Sequence, residues 1–167
     1  MSSEKLNNRH YNSIDLQIML NIVLIEPEIP NNTGNIGRLT LASGARLHLV
    51  KPFGFELTDS RVKRAGLDYW QHVPLTIYEN ADGFFNQHAN KPMAFLSSHG
   101  TKDYDSIPFE EELFLIFGKE SVGLPKELVA QYPDQLYKIP LHSPHIRSLN
   151  LANAVSVVVY EGLRQLK

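Results

Sequence analysis

Residues 20–25 have the sequence Leu-Asn-Ile-Val-Leu-Ile, and residues 113–117 have the sequence Leu-Phe-Leu-Ile-Phe. Both runs are almost continuously apolar and lack the alternation of polar and apolar side chains that a strand with one wet face shows. Such runs are typical of strands that are covered on both faces, as in a parallel sheet between two layers of helices. These two segments therefore predict an α/β fold.

Four further segments have the length and the branched apolar content of strands, and each is bounded by Gly, Pro, Asn or charged residues. They are Leu47–Val50, Val73–Tyr78, Met93–Leu96 and Tyr137–Leu141. Stretches with helical periodicity lie between several of the six strands. The sequence therefore predicts a three-layer α/β/α sandwich with a mostly parallel sheet.

The first and last helices have the clearest sequence signals. Asn32 and Thr33 can cap a helix that ends near Gly44, because small oxygen-bearing side chains accept bonds from free amides and glycine accepts a left-handed exit. The last helix is predicted to run from about residue 149 to residue 166, with Ser148 as its cap and an apolar face over its first turns.

The composition favours one globular domain in a reducing compartment. The chain has 167 residues, of which 43% are hydrophobic and 20% are charged. With a formal net charge of −2, any nucleic-acid contact would depend on a local basic patch. The chain contains no cysteine, which excludes disulfides, thiolate zinc sites and a cysteine nucleophile. No run approaches the roughly 20 apolar residues that span a bilayer. We expect a disordered extension over residues 1–18, one domain over residues 19–167 and a cytoplasmic location.

Three polar stretches, the first two of which contain glycine, directly follow or adjoin predicted strands, where open α/β sheets place their ligands. The first, Asn31–Arg38, can bind an anion at a helix start, or it can be a capped helix with a surface arginine. It lacks the first glycine of the dinucleotide fingerprint, which disfavours a dehydrogenase-like domain. The second, Phe117–Pro125, departs from the ATP phosphate loop at Leu113 and Glu120. Gly118 either lets a flat ligand approach the backbone or belongs to a simple strand-to-helix turn.

The third stretch, Ile139–Ala154, includes two histidines and two asparagines. His142 and His145 have no evident third ligand nearby, so we expect solvated loop histidines and no metal site. Asn150 and Asn153 are three residues apart and share a helix face, and two amides on one face need partners or a ligand.

A basic cluster with adjacent aromatic residues occurs between the second and third strands. Arg61 and Arg64 flank Val-Lys, and Tyr69-Trp70 follow shortly afterwards. Phosphate contact together with base stacking needs this combination, although a charge run is also typical of a solvated helix face.

Taken together, the three polar stretches resemble the three signature motifs of the SPOUT superfamily, the trefoil-knotted RNA methyltransferases. The likeness covers nearly everything after residue 19 and is strongest to the minimal tRNA wobble-nucleotide 2′-O-methyltransferases. Further matching segments are Met-Leu-Asn-Ile-Val-Leu at 19–24, Glu-Pro-Glu-Ile-Pro at 26–30, Arg-Ala-Gly-Leu-Asp-Tyr at 64–69 and Val-Ser-Val-Val-Val-Tyr-Glu at 155–161.

The resemblance implies a carboxyl-terminal deep trefoil knot, a homodimer whose substrate site uses both subunits, and S-adenosylmethionine as cofactor with S-adenosylhomocysteine as product. It implies that Leu96, Gly118, Ile139 and Ser148 line the cofactor pocket. The implied substrate is the ribose 2′-hydroxyl of the wobble nucleotide, cytidine 34 or a modified uridine 34, in a tRNA anticodon loop. A different tRNA or rRNA site, or a non-catalytic RNA-binding dimer, remains an alternative.

The resemblance further implies that Arg38 is the catalytic residue. The residues expected to bind substrate are Asn35, Glu120, Asn153, Arg61 and Arg64. Because an arginine side chain stays protonated at neutral pH, we favour a role in clamping phosphate and stabilising a developing alkoxide over a role as base.

The sequence departs from the family pattern at four positions near these motifs. Gly37 and Ile146 precede the two motif arginines where a larger apolar residue and a small polar residue are common. Lys119 and Val122 stand where Pro and Arg are common. These changes leave cofactor binding in place and bear on the choice of RNA.

Overall fold

The structure, a computed structural model, describes residues 19–57 and 69–167. The strands of the described part are β1 (Asn21–Ile25), β2 (Arg46–Val50), β3 (Leu75–Tyr78), β4 (Met93–Leu96), β5 (Lys102–Asp103), β6 (Phe114–Phe117) and β7 (Leu136–Lys138). They form one sheet in the order β3-β2-β1-β6-β4-β7-β5. Every neighbouring pair in this sheet is parallel.

Helices cover both faces of the sheet. They are α1 (Pro30–Ser43), α2 (Ala81–Gln87), α3 (Lys126–Gln131) and α4 (Leu151–Gln165). Single turns of 3₁₀ helix lie at Trp70–His72, Tyr104–Ser106 and Pro133–Gln135.

Strand β1 contributes to two separate apolar cores because its side chains alternate between the two faces of the sheet. Ile22 and Leu24 belong to the core under α1 and α4, while Val23 and Ile25 belong to the core under α2 and α3. All four side chains are buried. The predicted α/β fold with a parallel sheet between helices is therefore confirmed.

The strand predictions differ from the structure at the far edge of the sheet. The segment Tyr137–Leu141 was predicted as a strand, but β7 ends at Lys138 and the remaining three residues form a loop. Strand β5 was not predicted, because its two residues are polar and exposed and so carry no hydrophobic signal.

The predicted exit of α1 at Gly44 is confirmed, but its predicted start is wrong. Gly44 has the left-handed conformation, with φ of 71°, and its amide bonds back to the helix. The helix begins at Pro30 with Ile29 in the cap position, so Asn32 and Thr33 lie inside it. Proline suits this first position because its fixed φ is helical and it has no amide hydrogen to satisfy.

The predicted cap of the last helix is also wrong. Asn150 caps α4, and its Oδ1 accepts bonds from the amides of Ala152 and Asn153 at 2.9 and 3.4 Å. Ser148 precedes the helix and does not cap it. Both residue types are common caps, so local sequence does not separate them.

A directed chain of hydrogen bonds crosses the core under α2. The side-chain Nδ2 of Asn21 donates to the carbonyl of Glu112, which leaves Asn21 Oδ1 to accept from His48 Nε2 at 3.0 Å. Neutral His48 therefore carries its proton on Nε2, and its Nδ1 accepts from the Tyr78 hydroxyl at 3.0 Å. The Tyr78 oxygen in turn accepts from His88 Nε2 at 3.0 Å. Burial and the nearby His88 and Arg46 lower the pKa of His48 to about 4.

This series of hydrogen bonds makes the free energy of unfolding depend on pH. The unfolded chain takes up a proton at the ordinary histidine pKa of 6.5, whereas folded His48 stays neutral down to about 4. The contribution of neutral His48 to the free energy of unfolding is thus complete above pH 6.5 and is lost as the pH falls towards 4. Between pH 7 and 4.5 the wild type should lose about 2–3 kcal/mol more of its unfolding free energy than His48→Gln.

Urea unfolding at several pH values measures this difference, and His145→Gln is the control because His145 is an exposed loop histidine. Parallel pH profiles for the wild type and His48→Gln would contradict the assignment.

Every helix within residues 19–57 and 69–167 is too short or too polar to span a bilayer.

Candidate functional site

A cavity of about 860 Å³ lies at the carboxyl edge of the sheet. Its walls come from the turns that follow β1, β4, β6 and β7 and from the start of α4. The four residues expected to hold the cofactor, Leu96, Gly118, Ile139 and Ser148, all line this one cavity. The three polar stretches, which are far apart in sequence, therefore converge on a single site.

The turn after β6 folds back tightly on itself. The amides of Lys119 and Gly123 each donate to the other residue's carbonyl, at 3.2 and 2.8 Å. A Cβ on Gly118 would lie 2.0 Å from the carbonyl carbon of Gly123 and 2.1 Å from the nitrogen of Leu124. The close approach of the chain to itself therefore requires glycine at position 118. The hypothesis that a flat ligand needs this glycine did not include that reason.

Two glutamates join this turn to the segment after β1. The Glu120 carboxylate accepts from the amides of Glu28 and Ile29, at 2.8 and 3.1 Å, and from the Asn32 side chain at 3.1 Å. The Glu28 carboxylate accepts from the amide and hydroxyl of Ser121, both at 2.9 Å, and the Ser121 amide bond is the main reason that the pKa of Glu28 is lowered. Glu120 therefore fixes the backbone just before α1 and the Asn32 side chain in the first turn of that helix.

A further bond connects the third stretch. Asn150 Nδ2 donates to Asn32 Oδ1 at 3.0 Å, while Asn150 Oδ1 caps α4. Asn32 is thus bonded to Glu120 on one side and to Asn150 on the other. Asn32 was predicted as a helix cap within a stretch that could bind an anion. Its linking role was not predicted, because nothing in the local sequence distinguishes these uses of an amide.

Lys119, a departure from the family pattern, pairs with the end of β1. Its Nζ lies 2.9 Å from Glu26 Oε2, and the hydrogen bond to Glu26 is the main reason that the pKa of Lys119 is raised. Glu26 has a φ of 51°, an uncommon conformation for a residue with a side chain. The ion pair adds another link between the turns after β1 and β6.

Asn35, Arg38 and Asn153 are exposed and do not line the cavity. The Arg38 guanidinium carbon instead lies 5.0 Å from the ring centroid of Tyr69. Of the residues expected to bind substrate, Glu120 alone among the described ones lies in the cavity wall. Arg61 and Arg64, together with the expected extension over residues 1–18, lie outside the described residues.

Removal of the Glu120 carboxylate should loosen the site as a whole. Glu120→Ala is expected to lower the free energy of unfolding by about 2–3 kcal/mol, because it leaves two backbone amides and an asparagine without their acceptor. Urea unfolding measures this loss. The control is Glu127→Ala, an exposed glutamate of α3 that makes no side-chain bond with another described residue, for which we expect less than about 0.5 kcal/mol. Equal losses in the two variants would contradict the role given to Glu120.

Within the part of the chain that the structure describes, no three His, Cys, Asp or Glu side chains group in a way that could hold a metal ion. His142 and His145 lie in the loop between β7 and α4.

The chain is similar to known proteins in both sequence and structure. Residues 19–160 match the SpoU rRNA Methylase family. The chain is 48% identical over 149 residues to the tRNA (cytidine(34)-2′-O)-methyltransferase of Saccharophagus degradans, covering 89% of this chain and 96% of that protein.

Two solved structures have the same fold. One, whose subject is the 2-OH methylation of C/U34 on tRNA, superposes with a TM-score of 0.85 at 43% identity, covering 90% of this chain and 97% of the other. The second, an AdoMet-bound rRNA methyltransferase from Sinorhizobium meliloti, has a TM-score of 0.80 at 27% identity, covering 89% and 57%. The family match spans most of the chain, and the chain belongs to the SpoU rRNA methylase family.

Proposed function

We propose that this chain transfers a methyl group from S-adenosylmethionine to the ribose 2′-hydroxyl of nucleotide 34 in a tRNA anticodon loop. The observation that carries the proposal is the convergence of the three polar stretches on one cavity. The 48% identical relative supports the substrate, since it is named for cytidine 34 of tRNA.

The cavity is suited to a nucleoside cofactor. Its volume of about 860 Å³ falls within the range of small-molecule sites. Leu96 and Ile139 supply apolar walls, and the tight turn at Gly118 brings backbone groups to the edge of the space. Apolar walls with a few fixed polar groups are the usual environment for a flat ring that needs orientation.

The bound cofactor would supply a methyl group on a positively charged sulfur. In the reaction the ribose oxygen bonds to the methyl carbon, the carbon–sulfur bond breaks, and the hydroxyl proton is lost to a base. The protein must align the oxygen and stabilise its developing negative charge. Arg38 can do both through its forked donors, one contacting phosphate and another the oxygen.

A second copy of the chain would place Arg38 beside the RNA at its active site, outside the space that holds the cofactor. Helices α1 and α4 pack side by side, and Asn153, Val157 and Tyr160 form an exposed stripe along α4. Arg38 and Asn35 lie on the exposed surface of α1. We propose a homodimer through these two helices, in which residues of one subunit complete the RNA site of the other.

Three further proposals follow from family membership. Residues 19–167 form one methyltransferase domain, and the segment between β7 and α4 passes through a loop as a deep trefoil knot. The sheet order, in which β7 lies between β4 and β5, is consistent with such a crossing. The enzyme works in the cytoplasm on tRNA.

Incubation with unmodified tRNA transcripts and methyl-labelled cofactor tests the function, with the product mapped by nuclease digestion and mass spectrometry. We expect label on the ribose of nucleotide 34 and none when that nucleotide is 2′-deoxy. Label at another ribose would favour the alternative tRNA or rRNA site. RNA binding without turnover would favour the non-catalytic dimer, and label on a base would contradict ribose methylation.

A further inference from the structure

Two consecutive aromatic residues meet α1 at the turn that carries Arg38. The Tyr69 hydroxyl donates to the carbonyl of Gly34 at 3.0 Å, and its ring centroid lies 5.0 Å from the Arg38 guanidinium carbon. A Cβ on Gly37 would lie 2.5 Å from Cζ3 and 2.9 Å from Cε3 of Trp70. The indole therefore occupies the space that any larger residue at position 37 would need.

This arrangement fixes the tyrosine ring relative to the helix from two sides. The phenol is tied to α1 by its bond to Gly34, and the adjacent indole is seated against Gly37. A guanidinium group is attracted to the face of an aromatic ring, by about 0.5–1 kcal/mol at an exposed site and up to about 2 kcal/mol when water is excluded. An exposed arginine side chain otherwise samples many rotamers, which must be ordered when a substrate binds.

We propose that Tyr69 is a positioning residue that holds the Arg38 guanidinium ready for RNA, and that Trp70 and Gly37 form a matched large–small pair that keeps Tyr69 in place. This inference rests on the proposed role of Arg38. The proposal also explains why glycine stands at position 37, where a larger apolar residue is common in the family, because the indole fills the space that such a residue would take.

Two substitutions of Tyr69 separate its ring from its hydroxyl. Tyr69→Leu should lower kcat for tRNA methylation about tenfold, while the Kd for S-adenosylmethionine, measured by titration calorimetry, stays within about twofold. Tyr69→Phe, which keeps the ring, should restore most of that loss. Equal losses in the two variants, or a parallel loss of cofactor binding, would overturn the proposal.

The side-chain Nε–Hε NMR signal of Arg38 gives a readout that does not depend on turnover. We expect this proton to be shifted upfield by the ring current in the wild type and in Tyr69→Phe, and to lose that shift in Tyr69→Leu. An Arg38 signal that is the same in all three proteins would overturn the proposal.

The Gly37–Trp70 pair is tested by a double-mutant cycle. Gly37→Ala should displace the indole and lower kcat, and Trp70→Leu in the same chain should recover part of the loss. Because Trp70 is the sole tryptophan of the chain, its fluorescence reports directly on its displacement in Gly37→Ala. Additive effects of the two substitutions would contradict the pairing.

The same experiments distinguish failure of this inference from failure of the proposed function. If Arg38→Ala is inactive and Tyr69→Leu resembles the wild type, only the positioning role is overturned. If Arg38→Ala retains full activity, the proposed role of Arg38 fails, and the positioning role fails with it.

Discussion

Arg38→Ala is expected to lower kcat for RNA methylation by about 100- to 1,000-fold while changing the cofactor Kd by less than about threefold. The loss in rate follows from removing a donor to the developing oxyanion, for which this size of effect is typical. The unchanged affinity follows from the structure, in which Arg38 is exposed and does not line the cavity. Single-turnover assays with labelled cofactor and titration calorimetry measure the two quantities.

Arg38→Lys distinguishes a clamp from a base. Lysine keeps the charge but not the fork, so a clamp should lose part of its rate and keep the shape of its pH profile. Lysine has a lower reference pKa than arginine and so loses its proton at a lower pH. If residue 38 is the catalytic base, the pH dependence of the rate should therefore change in Arg38→Lys. Arg46→Ala is the control, since this exposed arginine begins β2 at the opposite edge of the sheet. A strongly weakened cofactor Kd in Arg38→Ala would show that Arg38 belongs to the cofactor site instead.

Gly118→Ala is expected to weaken cofactor binding at least about 100-fold and to lower the free energy of unfolding by about 3 kcal/mol. The added methyl group would lie 2.0 Å from the Gly123 carbonyl carbon, which is backbone and cannot rotate aside. The turn from β6 must therefore open, and it forms one wall of the cavity. Calorimetry and urea unfolding measure both effects.

Gly83→Ala is the matched control for this substitution. Gly83 lies in α2, and the nearest atom to an added Cβ is Asn80 Oδ1 at 3.3 Å. Because alanine favours a helix over glycine, we expect stability within about 1 kcal/mol of the wild type and unchanged cofactor binding. Normal cofactor affinity in Gly118→Ala would refute the account of the turn.

The sequence predicted the fold class and the three stretches that form the site, because both depend on local signals. Continuous apolar runs predict the buried strands β1 and β6. In a parallel sheet, the polar stretches that bind ligands lie at the carboxyl ends of the strands. Leu96 and Ile139 were expected at the site from the resemblance to the SPOUT superfamily and not from local signals. In the structure they lie at the ends of β4 and β7, two strands that pair with each other, and both line the cavity.

Features that depend on partners distant in sequence were not predictable from local patterns. Glu120 fixes the backbone just before α1 and the side chain of Asn32, which is 88 residues away from it in sequence. Asn150 caps α4 while also bonding to Asn32, and local propensity ranks it no higher than Ser148. The order of the strands in the sheet could not be predicted either, because apolar runs do not indicate which strands are neighbours.

The uniform strand direction has a practical meaning for protein engineering. Ala89 and Asn90 lie exposed in the connection that leads into β4, at the rim where strands begin. Strands of four or five residues at about 3.3 Å each put that rim roughly 15 Å away from the one where they end. A peptide tag or a fused reporter inserted between these two residues would leave every ligand-facing loop at its natural length, which makes this connection the place to label a working enzyme.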